Sequence, residues 1–247
     1  MLGALTDIGN IRQINEDYFS YSIIDDIEIY IVADGMGGHN AGEVASQVAV
    51  EAVIQYIKEN KDTSDLKALL KDAIVHANSV IYNKSKENPD LKGMGTTITA
   101  YFKKGNESMV ANVGDSSCYI VKDDKISKIT KDHSLVQQLI DEGTITEQEA
   151  KNHPNKNIIT RAIGTSPDVD VDIFVLEPRG INKIILCSDG LTNEVQPQEI
   201  YQCIKANTDN MEVCRELVNL AKERGGKDNI TLMVIGGECN NDRDHIE

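Results

Sequence analysis

Apolar positions repeat along this chain with two distinct periods. Alternation rich in Val, Ile and Tyr predicts strands over 17–24, 27–33, 96–103, 107–113, 117–122, 125–130, 172–177, 182–187 and 229–236. A 3.6-residue period marks 41–59, where Ala41, Val44, Ala45, Val48, Ala49, Ala52, Val53, Tyr56 and Ile57 form one stripe. Asn40 with Glu43 three residues later reads as an N-cap and capping-box acid. A second helix over 65–86 places Leu66, Leu69, Leu70, Ala73, Ala77, Val80 and Ile81 on its buried face, and Asn88–Pro89 ends it. Shorter helices are expected over 134–142, from Thr146–Glu147, over 197–206 behind Pro197, and over 209–224 before Gly225–Gly226.

The strands come in adjacent runs and do not alternate strictly with helices. That order predicts an α+β fold with antiparallel sheets, because a parallel sheet needs a crossover between each strand and the next. No internal repeat or low-complexity linker divides the chain, so 1–237 is expected to be a single domain. The polar, weakly patterned stretch 143–168 is expected to be a mobile flap. The charged segment 238–247 is expected to be a flexible tail.

Composition narrows the function classes. Lys and Arg number 25 against 40 Asp and Glu, a net charge of −15. This argues against a nucleic-acid binder or docking on anionic membrane surfaces, which demand clustered positive charge. The opening MLGALTDIGN lacks the basic-then-apolar pattern of a signal peptide, and no apolar run reaches the roughly 18 residues of a membrane span. Five cysteines, an odd number with no C-x-x-C spacing, read as reduced thiols. The expected location is the cytoplasm.

Chemistry concentrates in acidic residues at strand ends. IYIVADGMGG runs a strand into Asp34–Gly35, MVANVGDSS runs one into Asp115, and KIILCSDG runs one into Asp189–Gly190. GGKDNITLMVIG places Asp228 just before its strand. One Asp-Gly is usually a turn. Four carboxylates at the mouths of apolar strands point instead to a hard divalent cation, which takes several oxygens from rigid elements. Arg12, in RQINED with Glu16 and Asp17, offers a planar fork suited to phosphate; the plainer reading is a surface ion pair with Glu16. Other routes fail. No cysteine has Arg six positions on, and G-x-S-x-G, H-E-x-x-H and a Walker lysine are all missing from the sequence. Asp168, Asp170 and Asp172 read as a solvated strand edge.

The ordered series RQINED, VADGMGG, GMGTT (93–97), NVGDSS, DHS (132–134), ITRAIG (159–164), CSDGLTNEV and GGKDNIT resembles the bacterial branch of the metal-dependent protein phosphatases, the PPM or protein phosphatase 2C family. It covers residues from about 3 to 236. The resemblance implies a four-layer αββα sandwich, two central antiparallel sheets flanked by helix pairs. It also implies Mn2+ or Mg2+, two per subunit, and hydrolysis of phosphoserine and phosphothreonine by direct attack of a metal-bridging hydroxide. On this resemblance Asp34 bridges the two metals and Gly35 lends its carbonyl to one. Asp189 and Asp228 ligate the other, and Asp115 with Asp189 holds a third. Arg12 binds phosphate, while Glu16 and Asp17 bind metal-bound waters or orient the site. The implied counterparties are phosphorylated proteins and a bacterial Ser/Thr kinase, with the enzyme a monomer.

Met36 stands where many eukaryotic relatives carry a histidine general acid, which leaves a metal-bound water or His39 to supply the proton. Cys118 replaces a small residue and reads as packing. Two rival readings remain at this point: a hydrolase of small phosphoesters, and a non-catalytic regulatory relative on the same fold.

Overall fold

The structure is a computed structural model and describes residues 1–38, 41–151 and 153–236. The proposed cap Asn40, the proton-donor candidate His39, Cys239 and the tail 238–247 lie outside the described residues.

The strands are β1 (Leu2–Asp7), β2 (Asp17–Ile24), β3 (Ile27–Met36), β4 (Gly95–Thr96), β5 (Ile98–Lys104), β6 (Glu107–Val113), β7 (Ser117–Lys122), β8 (Lys125–Lys128), β9 (Asp172–Leu176), β10 (Ile181–Cys187) and β11 (Ile230–Gly236). The helices are α1 (Ala41–Glu59), α2 (Leu66–Glu87), α3 (Leu135–Asp141), α4 (Glu147–Lys151), α5 (Asp189–Thr192), α6 (Pro197–Ala206) and α7 (Asn210–Glu223). Two sheets form, ordered β1-β11-β10-β7-β8 and β2-β3-β5-β6-β9, with β4 paired onto the end of β3. Every strand pairing among the described residues is antiparallel.

Alternation within the strands builds the layers. Along β3, Ile27, Ile29, Ile31 and Ala33 face α1 and α2, whereas Tyr30 and Val32 face the second sheet. Along β10, Ile185 and Cys187 face α6 and α7, whereas Ile184 and Leu186 face the first sheet. The result is helix pair, sheet, sheet, helix pair: the expected αββα sandwich. The same parity aims the strand ends. Asp34 continues the Tyr30–Val32 side, Ser188 the Ile184–Leu186 side, and Asp17 the Phe19 side, so all three point into the end of the gap between the sheets.

Several elements differ from the sequence reading. Strand β1 and helix α5 were not expected. On α2, Ile74 and Asn78 are fully buried and Val80 is only half-buried. Asn78 is buried because it is used. Its Oδ1 accepts from the Gly164 N–H at 2.7 Å, and its Nδ2 donates to the carbonyls of Ser166 and Pro167 at 3.0 and 3.1 Å. Thr96 and Ile163 exchange backbone hydrogen bonds, so the second half of 143–168 is pinned to the core.

Candidate metal centre

Asp34–Gly35 is not a turn. Strand β3 stays extended through Met36 because β4 pairs with it, Thr96 opposite Gly35 and Gly95 opposite Met36. Two threonines then lock the Asp34 backbone. Thr97 Oγ1 accepts from the Asp34 N–H at 2.9 Å, the Thr97 N–H donates to the Asp34 carbonyl at 2.8 Å, and Thr96 Oγ1 donates to the same carbonyl at 2.8 Å. Thr97 Oγ1 also meets Ser116 Oγ at 2.9 Å, which ties the Asp34 strand to the loop carrying Asp115. Asp17 lies directly opposite Asp34 in the β2–β3 register. From the other sheet, Asp189 opens α5 behind β10, and Asp228 stands two residues before β11.

The loop carrying Arg12 and Glu16 is fastened by Asn229. Its Oδ1 accepts from the Glu16 N–H at 2.8 Å, and its Nδ2 donates to the carbonyls of Ile8 and Ile14, both at 3.0 Å. Close backbone approach requires glycine at two points here. A Cβ at Gly190 would stand 2.0 Å from the Asn229 carbonyl oxygen, and one at Gly42 would stand 2.2 Å from Glu16 Oε1.

Asp17 is buried, with its Oδ2 accepting from Ser188 Oγ at 2.7 Å. Asn193 Nδ2 donates to Asp189 Oδ2 at 2.9 Å. Burial drives the Asp34 carboxyl well above the ordinary aspartate range, and the carboxylates of Asp17, Asp189, Asp115 and Asp228 push it further. Burial likewise raises Asp17 to about 7, Asp115 to about 8 and Asp189 to about 6. Glu16 is raised in the same way, with Arg12 opposing. Four buried carboxylate oxygens in this cluster have no hydrogen-bond partner: Glu16 Oε1, Asp17 Oδ1, Asp115 Oδ1 and Asp189 Oδ1. Desolvated, mutually repelling and unpaired oxygens are the donor set a hard cation satisfies. Among the described residues, no three His, Cys, Asp or Glu side chains already close around a single point as a preformed cage.

Arg12 does not pair with Glu16. Its guanidinium donates to Asp228 Oδ2 at 2.8 Å. The Asp168–Asp172 run is not one strand face either, since only Asp172 enters β9, and Arg161 NH1 donates to its Oδ1 at 2.7 Å. His133 Nδ1 accepts from the Gly114 N–H at 3.0 Å while Nε2 lies 3.1 Å from Asp172 Oδ2. The accepting Nδ1 marks a neutral ring, Nε2 also lies 2.9 Å from Arg161 NH1, and burial lowers the ring's pKa in the same sense. Cys118 is fully buried in the inter-sheet core. The sequence reading assigned no role to Thr96, Thr97, Ser188, Asn193 or Asn229. Each lies inside a quoted motif, but its use depends on partners from other strands.

Fold and cluster together define a class: a two-sheet α+β sandwich with a cation-seeking carboxylate centre at its strand ends. The protein phosphatase 2C family model matches residues 11–231, and the chain belongs to that family. It is 39% identical over 234 residues to the serine/threonine phosphatase Stp of Listeria innocua, covering 93% of each chain. The crystal structure of the serine/threonine phosphatase Stp1 from Staphylococcus aureus superposes with a TM-score of 0.90 at 33% identity, covering 96% of this chain and 94% of that one. The catalytic domain of the serine/threonine phosphatase PstP, solved in complex with two manganese ions, gives 0.81 at 34% identity, covering 95% and 96%.

Proposed function

We propose that the chain is a metal-dependent serine/threonine protein phosphatase, hydrolysing phosphoserine and phosphothreonine in proteins. The observation that carries this reading is the set of unpaired, buried carboxylate oxygens gathered at one end of the gap between the two sheets. The residues suited to hold two Mn2+ or Mg2+ ions are Asp34, the Gly35 carbonyl, Asp189 and Asp228, with Asp115 available to a third and Glu16 and Asp17 to the ions' waters. When bound, the ions supply Lewis-acid activation of water and offset charge on the phosphoryl group.

The protein's own groups do the positioning. Thr96 and Thr97 fix the Asp34 backbone, Ser188 orients Asp17, and Asn193 orients Asp189. To hold an ion Asp228 would have to release Arg12, with which it is paired at 2.8 Å, and the planar fork of Arg12 would suit two phosphoryl oxygens at once. His133 is committed to Gly114 and Asp172 and is not placed to protonate the leaving group.

No helix among the described residues is long and apolar enough to cross a membrane. A cytoplasmic monomer opposing a Ser/Thr kinase completes the proposal.

The test is hydrolysis of a phosphothreonine peptide with Mn2+, with EDTA, and with Asp34→Ala. Turnover should require both the ion and Asp34. Turnover of sugar phosphates or nucleotides in preference to phosphopeptides would refute the assignment.

A further inference from the structure

Two clefts flank the carboxylate cluster. The larger, about 470 Å³, opens beside Asp115 and Asp189 and is lined on its far side by α3 and by Ala150, Lys151, Lys156 and Asn157. The smaller, about 240 Å³, opens beside Asp228 and Gly190. Lys156, Asn157 and Asn193 line both. Asn193 joins this ridge to the centre. Its Nδ2 donates to Asp189 Oδ2 at 2.9 Å, and its Oδ1 accepts from Lys156 Nζ at 3.5 Å. The Lys156 ammonium therefore stands two hydrogen bonds from a carboxylate of the cluster.

The local charge runs against that of the molecule as a whole. In the larger cleft Asp115 and Asp189 belong to the cluster, and Asp132 takes the Lys128 ammonium at 2.7 Å. This leaves Lys156 and Lys151, which among the described residues donate to the amide oxygens of Asn193 and Gln196. In the smaller cleft Asp228 takes Arg12, Arg224 nearby is held by Glu199, and among the described residues neither Glu194 nor Lys227 has an ion-pair partner. In a chain of net charge −15, three ammonium groups without carboxylate partners among the described residues line the two clefts beside the carboxylate centre.

Resting on the protein-phosphatase reading, we propose that the enzyme selects phosphorylated segments with an acidic residue next to the phosphothreonine or phosphoserine. Lys156 reads that carboxylate, with Lys151 and Lys227 extending the preference along the two clefts. Contact pairing acts at hydrogen-bond range, where salt screens it less than the long-range repulsion of a −15 protein.

The experiment uses three peptides of equal length with central phosphothreonine, flanked on both sides by Asp, Ala or Lys, at physiological ionic strength with Mn2+. The Asp peptide should exceed the Ala peptide by about threefold to fivefold in kcat/KM, the range of a part-exposed charge pair, with the difference in KM. The readout is a ratio on one preparation, so a general loss of activity in a variant does not move it. Lys156→Ala should bring the ratio close to one, Lys156→Arg should keep it, and Lys156→Glu should turn it in favour of the Lys peptide. A wild-type enzyme that prefers the Lys peptide, or a ratio that survives Lys156→Glu, overturns the proposal. Hydrolysis of p-nitrophenyl phosphate with no peptide hydrolysed overturns the protein-phosphatase reading itself. Peptide hydrolysis without an Asp preference overturns only this inference.

Discussion

Replacing Asp115 by Asn should stabilise the protein when divalent ions are chelated and the pH is high. Asp115 is half-buried, desolvation pushes its carboxyl up to about 8 from the ordinary 3.8, and its Oδ1 is unpaired. The sign follows from proton binding. Between pH 3.8 and 8 the folded chain keeps a proton that the unfolded chain has released, so stability falls as pH rises through that window, and the loss is complete above 8. The full difference corresponds to at most about 6 kcal/mol. Repulsion with Asp189 accounts for a share of it, so removing one carboxylate should recover about 2–3 kcal/mol. For a domain of this size that is a rise in Tm of roughly 4–10 °C. The assay is thermal melting of wild type and Asp115→Asn in EDTA at pH 5, 6, 7 and 8. The two curves should converge at pH 5 and separate by pH 8, with the variant higher. Added Mn2+ should stabilise both proteins through the two-ion core and the wild type by more, narrowing or reversing the gap, because only the wild type keeps the Asp115 carboxylate for a further ion. A variant that is less stable than wild type at pH 8 in EDTA, or equal pH slopes for the two proteins, would refute the reasoning.

Asn229→Ala should cost about 2–4 kcal/mol, since three part-buried hydrogen bonds are lost and their backbone partners are stranded. Urea titration measures it, and KM should rise as the Arg12 loop loosens. Arg12→Ala should raise KM for an aryl phosphate with a smaller effect on kcat, and should tighten Mn2+ binding severalfold, because Asp228 no longer has to release a guanidinium. Unchanged Mn2+ affinity by calorimetry would count against that exchange. Asp189→Ala should nearly abolish aryl-phosphate turnover while the fold, read by circular dichroism, is kept.

The α+β class with antiparallel sheets was legible because the strands come in adjacent runs and the long helices carry 3.6-period stripes, whereas the αββα layering was implied only by the family resemblance. Strand β1 escaped because LGALTD is mostly half-buried and carries Gly3 near its start. That glycine is required by α7, whose Asn210 carbonyl oxygen would lie 2.2 Å from a Cβ there, so a packing demand blurs the strand signal. Helix α5 has four residues, too few to show a period. Asp34–Gly35 reads as a turn locally and is a strand only because β4 pairs with it, a contact made 60 residues away in sequence. The carboxylates themselves stood out as acids ending apolar runs. Their supports did not: Ser188, Asn193 and Asn229 are ordinary polar residues until the two sheets meet. The Arg12–Asp228 pair links opposite ends of the chain, and no local pattern announces it.

The most direct test of the carboxylate centre is anomalous diffraction at the manganese edge from crystals grown with Mn2+. Two peaks should lie among the side chains of Asp34, Asp189 and Asp228, with Arg12 turned away from Asp228. A map with no manganese within coordination distance of those three carboxylates would contradict the account.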